Sequence, residues 1–307
     1  MQVRILGAAA GGGLPQWNCC CPNCRAVRED SPNIQSRTQS SVAISADGKS
    51  WFLLNVSPDI RHQISSFSGL SPTSLSGRAT PIAGCVLTDG EIDHTTGLLL
   101  LREGCSFSVY STAIIKRWLG GDYPIAPIVA KFAERSWRDL PLGESVELKD
   151  GADLGSGLWV RAIEMVRDVP RFVDEAATSA VGSVIALSIE DKSTGGTLVY
   201  APGLGELNAD LREAGEQASA ILVDGTFWTD DEPRSFGITE GTAAQMGHIP
   251  VSGSAGSLAW LKRLRAERKI YVHINNTNPM LMTDGPEHAE VLAAGVQVGK
   301  DGDGFEV

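Results

Sequence analysis

Three features of this 307-residue chain predict a layered α/β protein with mixed sheets. Short runs rich in β-branched and aromatic residues alternate with segments of helical periodicity from one end to the other. Some runs are joined through turn residues such as Gly195-Gly196 and others through helical segments, so hairpins and βα units coexist. Hydrophobic residues make up 42% and charged residues 21%, an ordinary globular balance that can bury a sizeable core.

Strands are expected at 3–6, 51–56, 83–87, 106–110, 158–163, 184–189, 198–200, 220–223 and 269–274, where apolar β-formers cluster between turn residues. Helices are expected after His94 and at 112–119, 206–216 and 254–267, and Pro58 in Ser57-Pro58-Asp59 marks a further helix start. Residues 37–48 and 191–196 read as hairpin or loop material. Residues 167–180 form the least regular stretch and are expected to loop beside a site. With no linker and no repeat, one domain covering 1–307 is expected.

The net charge of −11 repels phosphate backbones, so nucleic acid is not an expected partner. The opening residues lack the basic stretch, long apolar run and cleavage site of a secretory signal, and the apolar run 98–101 is far too short to span a bilayer. A cytoplasmic protein without a membrane partner is expected. The glycine-rich run 8–13 lacks both G-x-G-x-x-G and a Lys-Ser/Thr ending, which argues against a nucleotide site.

Four of the six cysteines fall between Cys19 and Cys24. Cys19, Cys21 and Cys24 have C-x-C-x-x-C spacing, so three thiolates on one tight loop can wrap a single Zn²⁺. In a reducing compartment such clustering favours metal over disulfides, and packing of free thiols does not explain it. Cys20 would point the other way along an extended loop. The fourth ligand stays open among Asn276, a side chain near it and Cys20.

The run from Leu87 to Gly97 follows an apolar strand and precedes a helix. It resembles the metallo-β-lactamase signature T-H-x-H-x-D-H-x-x-G at Thr88, Asp93, His94 and Gly97, with Asp89 and Glu91 in place of the two leading histidines. His248, in Met246-Gly247-His248, and His273, near the end of a final apolar strand, follow in the order of that family. The resemblance implies a four-layer αββα sandwich with two mixed sheets. It also implies that one of the family's two metal positions is retained, through Asp93, His94 and His273. The other is lost, because no histidine lies between His94 and His248 and Tyr200-Ala201-Pro202-Gly203 offers no bridging carboxylate.

Two histidines and one carboxylate with open positions form the ligand set of non-haem Fe(II) oxygen chemistry. Asp89 and Glu91 are expected either to add an oxygen ligand or to orient a ligand from behind. Asp89 is also a catalytic candidate, as is His248, whose imidazole suits proton transfer near neutral pH. Taken alone, Asp93 reads equally well as a helix cap.

Longer motifs narrow the resemblance. Gly11-Gly12-Gly13-Leu14-Pro15-Gln16-Trp17-Asn18-Cys19, Arg37-Thr38-Gln39-Ser40-Ser41, Ser57-Pro58-Asp59-Ile60-Arg61, Ile92-Asp93-His94-Thr95-Thr96-Gly97, Leu101-Arg102-Glu103-Gly104, Tyr200-Ala201-Pro202-Gly203-Leu204-Gly205 and His273-Ile274-Asn275-Asn276-Thr277-Asn278-Pro279 together resemble the pyrroloquinoline quinone (PQQ) biosynthesis protein B family. That resemblance implies an iron- and O₂-dependent hydroxylation of the tyrosine ring in a small Glu-Tyr-derived PQQ precursor. An alternative is a carrier moving PQQ or its precursor to the periplasm, and a metal-dependent hydrolase is a third reading. In the hydroxylase reading Fe(II) sits on Asp93, His94 and His273, Zn(II) sits on the cysteine loop, and Arg61, Arg102, Asn275 and Asn276 are candidates to meet the substrate. Metal content separates the readings: one iron plus zinc for a hydroxylase, two active-site ions for a hydrolase, structural zinc alone for a carrier. The sequence leaves assembly open, a homodimer being one option.

Overall fold

The structure is a computed structural model that describes residues 1–72, 74, 77–165, 169–173 and 181–307. Two seven-stranded sheets face one another. The first runs in the order Gly304–Glu306, Gln2–Gly7, Ser41–Ser45, Trp51–Leu54, Ile82–Val86, Phe107–Ser111 and Arg135–Asp139. The second runs in the order Gln297–Val298, Arg268–Val272, Ala220–Asp224, Thr197–Ala201, Ile185–Asp191, Gly155–Glu164 and Ser145–Lys149. Each has an antiparallel part and a parallel part, the switch falling at Trp51–Leu54 in the first and at Thr197–Ala201 in the second. The mixed sheets follow the predicted class.

The layering comes from the period-2 geometry of strands, which sends alternate side chains to opposite faces. Val42, Ile44, Phe52 and Leu54 meet Leu187, Ile189, Leu198 and Leu222 between the sheets. Their neighbours Ala43, Trp51 and Leu53 pack outward on the layer holding Ile115, Trp118 and Leu119 of helix Ala113–Gly120. On the other side, Ile221 and Val223 pack against Leu211 of helix Ala209–Gln217, Leu258 and Leu261 of helix Ser257–Leu261, and Val291 of helix Pro286–Ala293. Three apolar interfaces thus separate four layers, helix, sheet, sheet and helix, as the family resemblance implied. Each fully buried Leu, Ile or Phe in them contributes about 1.5–3 kcal/mol relative to exposure.

Residues 37–48 supply one arm of a hairpin: Ser41–Ser45 is an interior strand with every residue buried, paired antiparallel with Trp51–Leu54. Its polar ends are accommodated by local bonds: the Ser41 hydroxyl donates to the Asn55 carbonyl at 2.8 Å and that of Ser45 to the Ser50 carbonyl at 2.7 Å. The helix expected over 254–267 is only Ser257–Leu261. The expected loop 167–180 lies mostly outside the described residues, and its described part, 169–173, borders the site discussed below. Among the described residues no helix is long and apolar enough to cross a membrane.

Three parallel strands end on residues of the candidate site. Ile82–Val86 leads to Asp89, Ala220–Asp224 ends on Asp224, and Arg268–Val272 leads to His273. Crevices beyond the carboxyl ends of parallel strands are where α/β sheets commonly place ligands.

Candidate metal centre

The backbone after Val86 turns sharply so that Asp89 and His94 meet. Asn55, itself at a positive φ of 61°, donates to the Thr88 hydroxyl at 2.8 Å and accepts the Thr88 amide at 2.9 Å. Thr88 then donates to Asp89 Oδ2 at 2.8 Å, and the Glu91 amide donates to Asp89 Oδ1 at 3.0 Å. Both Asp89 oxygens face His94 Nδ1, at 2.7 and 2.8 Å. The carboxylate therefore holds the Nδ1–H tautomer and turns Nε2 the other way. Among the described residues His94 Nε2 is buried with no hydrogen-bond partner. A nitrogen lone pair buried in that state is what a metal ligand looks like without its metal.

Asp93 and His273 complete the group. Ligand atoms of Asp93, His94 and His273 all lie within 4.8 Å of one another, and Asp93 Oδ2 is 3.4 Å from His273 Nε2 and 3.8 Å from His94 Nε2. Asp93 is not the helix cap, because Glu91 takes that position before Ile92–Thr95. His273 adopts a positive φ of 52°, a left-handed conformation that non-glycine residues avoid and that concentrates at functional sites. The glycine-rich run has a place here as well: a Cβ on Gly11 would lie 3.2 Å from Asp93 Oδ2, so the missing side chain lets the loop close over the carboxylate.

Asp224 was not among the sequence-predicted site residues. It is wholly buried and reaches two imidazoles: Oδ2 is 2.5 Å from His248 Nδ1, and Oδ1 is 3.5 Å from His273 Nδ1. Thr226 bridges further, its hydroxyl bonded to Asp224 Oδ1 and 2.9 Å from His273 Nδ1. The signal available was an acidic residue ending an otherwise apolar strand, Ala220–Asp224, which calls for a buried partner. Asp224, His248 and His273 form a second group within 4.8 Å, and the His248 and His273 rings stack at 5.8 Å.

Electrostatics follow the geometry. Burial opposes the charged form of His273, but Asp224 and Asp93 outweigh it and push its pKa up to about 10. Burial likewise opposes charge on His94, and Asp89 and Asp93 overcome it and raise its pKa. Burial would raise the Asp93 and Asp224 carboxyls, yet the neighbouring imidazoles hold both well below the usual carboxylate range. A divalent cation would satisfy the same anionic pocket while displacing those histidine protons.

A cavity of about 650 Å³ opens over the group. Ile92, Val169, Pro170 and Phe172 give it apolar surface, and Asp93, His94, His248 and His273 face it from below. Pro202 and Gly203 line it as well and bring no carboxylate to it. Glu91 lies at the cavity, outside the three-residue group, and Asp89 sits behind His94. Arg61 and Arg102, expected to meet the substrate, are not among the residues that line this cavity. Arg61 is exposed on helix Ile60–Ser65, and Arg102 lies over the Phe132 ring at 5.7 Å and 3.9 Å from Glu103. The Lys or Arg at the cavity, among the described residues, is Arg171. Asn275 donates to Thr277 at 2.6 Å and lines a second cavity of about 620 Å³, which shares Met246, His248 and His273 with the first.

The sulfurs of Cys19, Cys21 and Cys24 form a third group within 4.8 Å, at the start of helix Pro22–Arg28. Cys20 is exposed and outside it. The side-chain amide of Asn276 stands 3.2, 3.5 and 3.3 Å from the three sulfurs. Asn276 thus belongs to the cysteine group more than to the cavity over His94. Asn23 fastens the loop by donating to the Asn276 and Asn278 carbonyls, each at 2.9 Å. Burial pushes the Cys24 thiol up to about 12, so as a free thiol it stays protonated. Three convergent sulfurs and an amide suit tetrahedral zinc.

A family model described as the β-lactamase superfamily domain matches residues 50–274. The coenzyme PQQ synthesis protein B of Ectopseudomonas mendocina is 44% identical over 306 residues, covering 98% of both chains. That of Methylococcus capsulatus is 43% identical over 303 residues, again covering 98% of both. Among solved structures, zinc-bound PqqB from Methylobacterium extorquens superposes with a TM-score of 0.90 at 37% identity, covering all of both chains. A diphosphatase of the PhnP family gives a TM-score of 0.68 at 18% identity over 100% of this chain and 97% of its own, a likeness of fold alone. A β-lactamase superfamily domain at this coverage and relatives this similar from end to end place the chain in the coenzyme PQQ synthesis protein B family.

Proposed function

We propose that this protein acts in PQQ synthesis as an iron(II)- and O₂-dependent hydroxylase of the tyrosine ring in a Glu-Tyr-derived precursor. The carrying observation is the Asp93–His94–His273 group, whose imidazoles are held from behind so that Nε2 of each turns toward Asp93. Bound there, iron(II) would supply O₂ chemistry through its open positions. Donors of this kind accept zinc as well as iron(II), and zinc is the ion named for the relative from Methylobacterium extorquens.

The chain's own residues prepare the substrate. Phe172, Val169 and Ile92 offer an apolar wall for an aromatic ring. Arg171 can pair with a substrate carboxylate, the role expected of Arg61 and Arg102. His248, with Nδ1 engaged by Asp224, has Nε2 left to take or return a phenol proton. Zinc on Cys19, Cys21 and Cys24, with Asn276 as fourth ligand after an amide flip, would pin the loop that borders the second cavity. A reducing cytoplasm would keep those thiols available. A carrier has no use for two histidines and a carboxylate around an open position. A second reading, a two-metal hydrolase, would have to draw its further ligands from the adjoining Asp224–His248–His273 group.

The test is oxygen uptake by anaerobically prepared, Fe(II)-loaded protein given the Glu-Tyr intermediate or a tyrosine analogue. Substrate-dependent uptake that disappears in His273→Ala is expected. With iron shown to be bound, no uptake on any candidate removes the hydroxylase reading.

A further inference from the structure

The Asp224 carboxylate is buried at 0% exposure, yet its bonds do not end in a structural anion site. They converge on the backs of two imidazoles that face the cavity. Oδ2 takes His248 Nδ1 at 2.5 Å. Oδ1 takes the Thr226 hydroxyl, which stands 2.9 Å from His273 Nδ1, so the chain of donors runs from His273 through Thr226 to Asp224. The Leu204 amide at 3.2 Å and the Thr226 amide at 2.9 Å fix the carboxylate from the other side. With both Nδ1 atoms committed, the nitrogen that each ring can present is Nε2. The rings also stack, 23° from parallel, so turning one crowds the other.

Resting on the iron-centre reading above, we infer that Asp224 is the positioning residue shared by the metal ligand His273 and the proton-transfer residue His248. Asp89 serves only His94 in the same manner. One carboxylate thereby sets the tautomer and orientation of a ligand and of the group that works beside it. This arrangement differs from a second metal site: Asp224 and His248 already meet at hydrogen-bond distance, and the Nδ1 edge of His273 faces Thr226. It predicts that one substitution, distant from substrate, loosens metal and misdirects His248 together, because histidine ligands lose their aim when the group behind them goes.

The decisive variants are Asp224→Asn and Thr226→Val. The readouts are active-centre affinity for Co(II) by chelator competition and the His248 tautomer by long-range nitrogen NMR of zinc-loaded protein, with zinc at the cysteine loop as an internal control. Asp224→Asn is expected to weaken the metal about ten- to a hundred-fold and to mix the His248 tautomers. Thr226→Val is expected to weaken the metal while leaving the His248 tautomer as it was. Should Asp224→Asn not fold, Thr226→Val decides through the same two readouts. Metal affinity within twofold of the parent in either folded variant overturns the inference. So does a second active-centre ion lost in Asp224→Asn, since Asp224 would then be a ligand. Neither readout needs turnover: if they come out as expected and oxygen uptake fails, the hydroxylase reading falls and the positioning role stands.

Discussion

Asp89 offers a sharp test of how the metal centre is held. It occupies the place of a leading signature histidine, but the structure puts it behind His94, both oxygens within 2.8 Å of Nδ1, with the pair almost fully buried. Asp89→Asn keeps the volume and an acceptor, while the amide nitrogen cannot accept from Nδ1–H as the carboxylate does. A charge-assisted bond becomes a neutral one, worth roughly half as much. Loss of a group behind a ligating histidine costs about ten- to a hundred-fold in metal affinity, or about 1.4–2.8 kcal/mol. The assay is Co(II) or Fe(II) titration against a calibrated chelator, with circular dichroism to establish folding and cysteine-site zinc as control. Affinity unchanged within twofold would refute the reasoning. An unchanged affinity joined to a lost turnover would place Asp89 in the chemistry itself, as the sequence had also allowed.

Two further outcomes are expected. Cys24→Ser should lose the loop zinc and lower the melting temperature while the Asp93–His94–His273 centre still titrates with metal; metal analysis and calorimetry check it, and retained zinc would discard the cysteine group as a site. The metal-free protein should lose stability as pH rises. The His273 pKa is lifted from 6.5 to about 10 on folding, so its contribution is complete below about 6.5 and is lost through about 10. Asp93 and Asp224, with lowered pKa, contribute above the usual carboxylate range and lose that contribution only in acid. The melting temperature followed from pH 6 to pH 10 should therefore fall for metal-free protein and fall less for loaded protein, because metal affinity grows as the competing protons leave. Parallel curves would contradict this.

Sequence alone determined the local items. Periodicity found the apolar strands whose alternate faces build the layers, as at Phe52 and Leu53, because strand burial repeats every second residue wherever the strand lies. Spacing found Cys19, Cys21 and Cys24, because ligands within six residues share one loop, and the Asp93-His94 pair, because it opens a helix after a strand. The tertiary structure decided what is joined across the chain. Asp224 lies 24 residues from His248 and reaches it only through the parallel sheet, and Asn276 reaches the cysteines across more than 250 residues. Arg61 and Arg102 stand in motifs close to the site in sequence, yet their side chains end away from it, while Arg171, in an irregular stretch, arrives at the cavity. Residue type and spacing report chemistry within one element; which elements face one another depends on the sum of packing over three apolar layers, and no local pattern carries that sum.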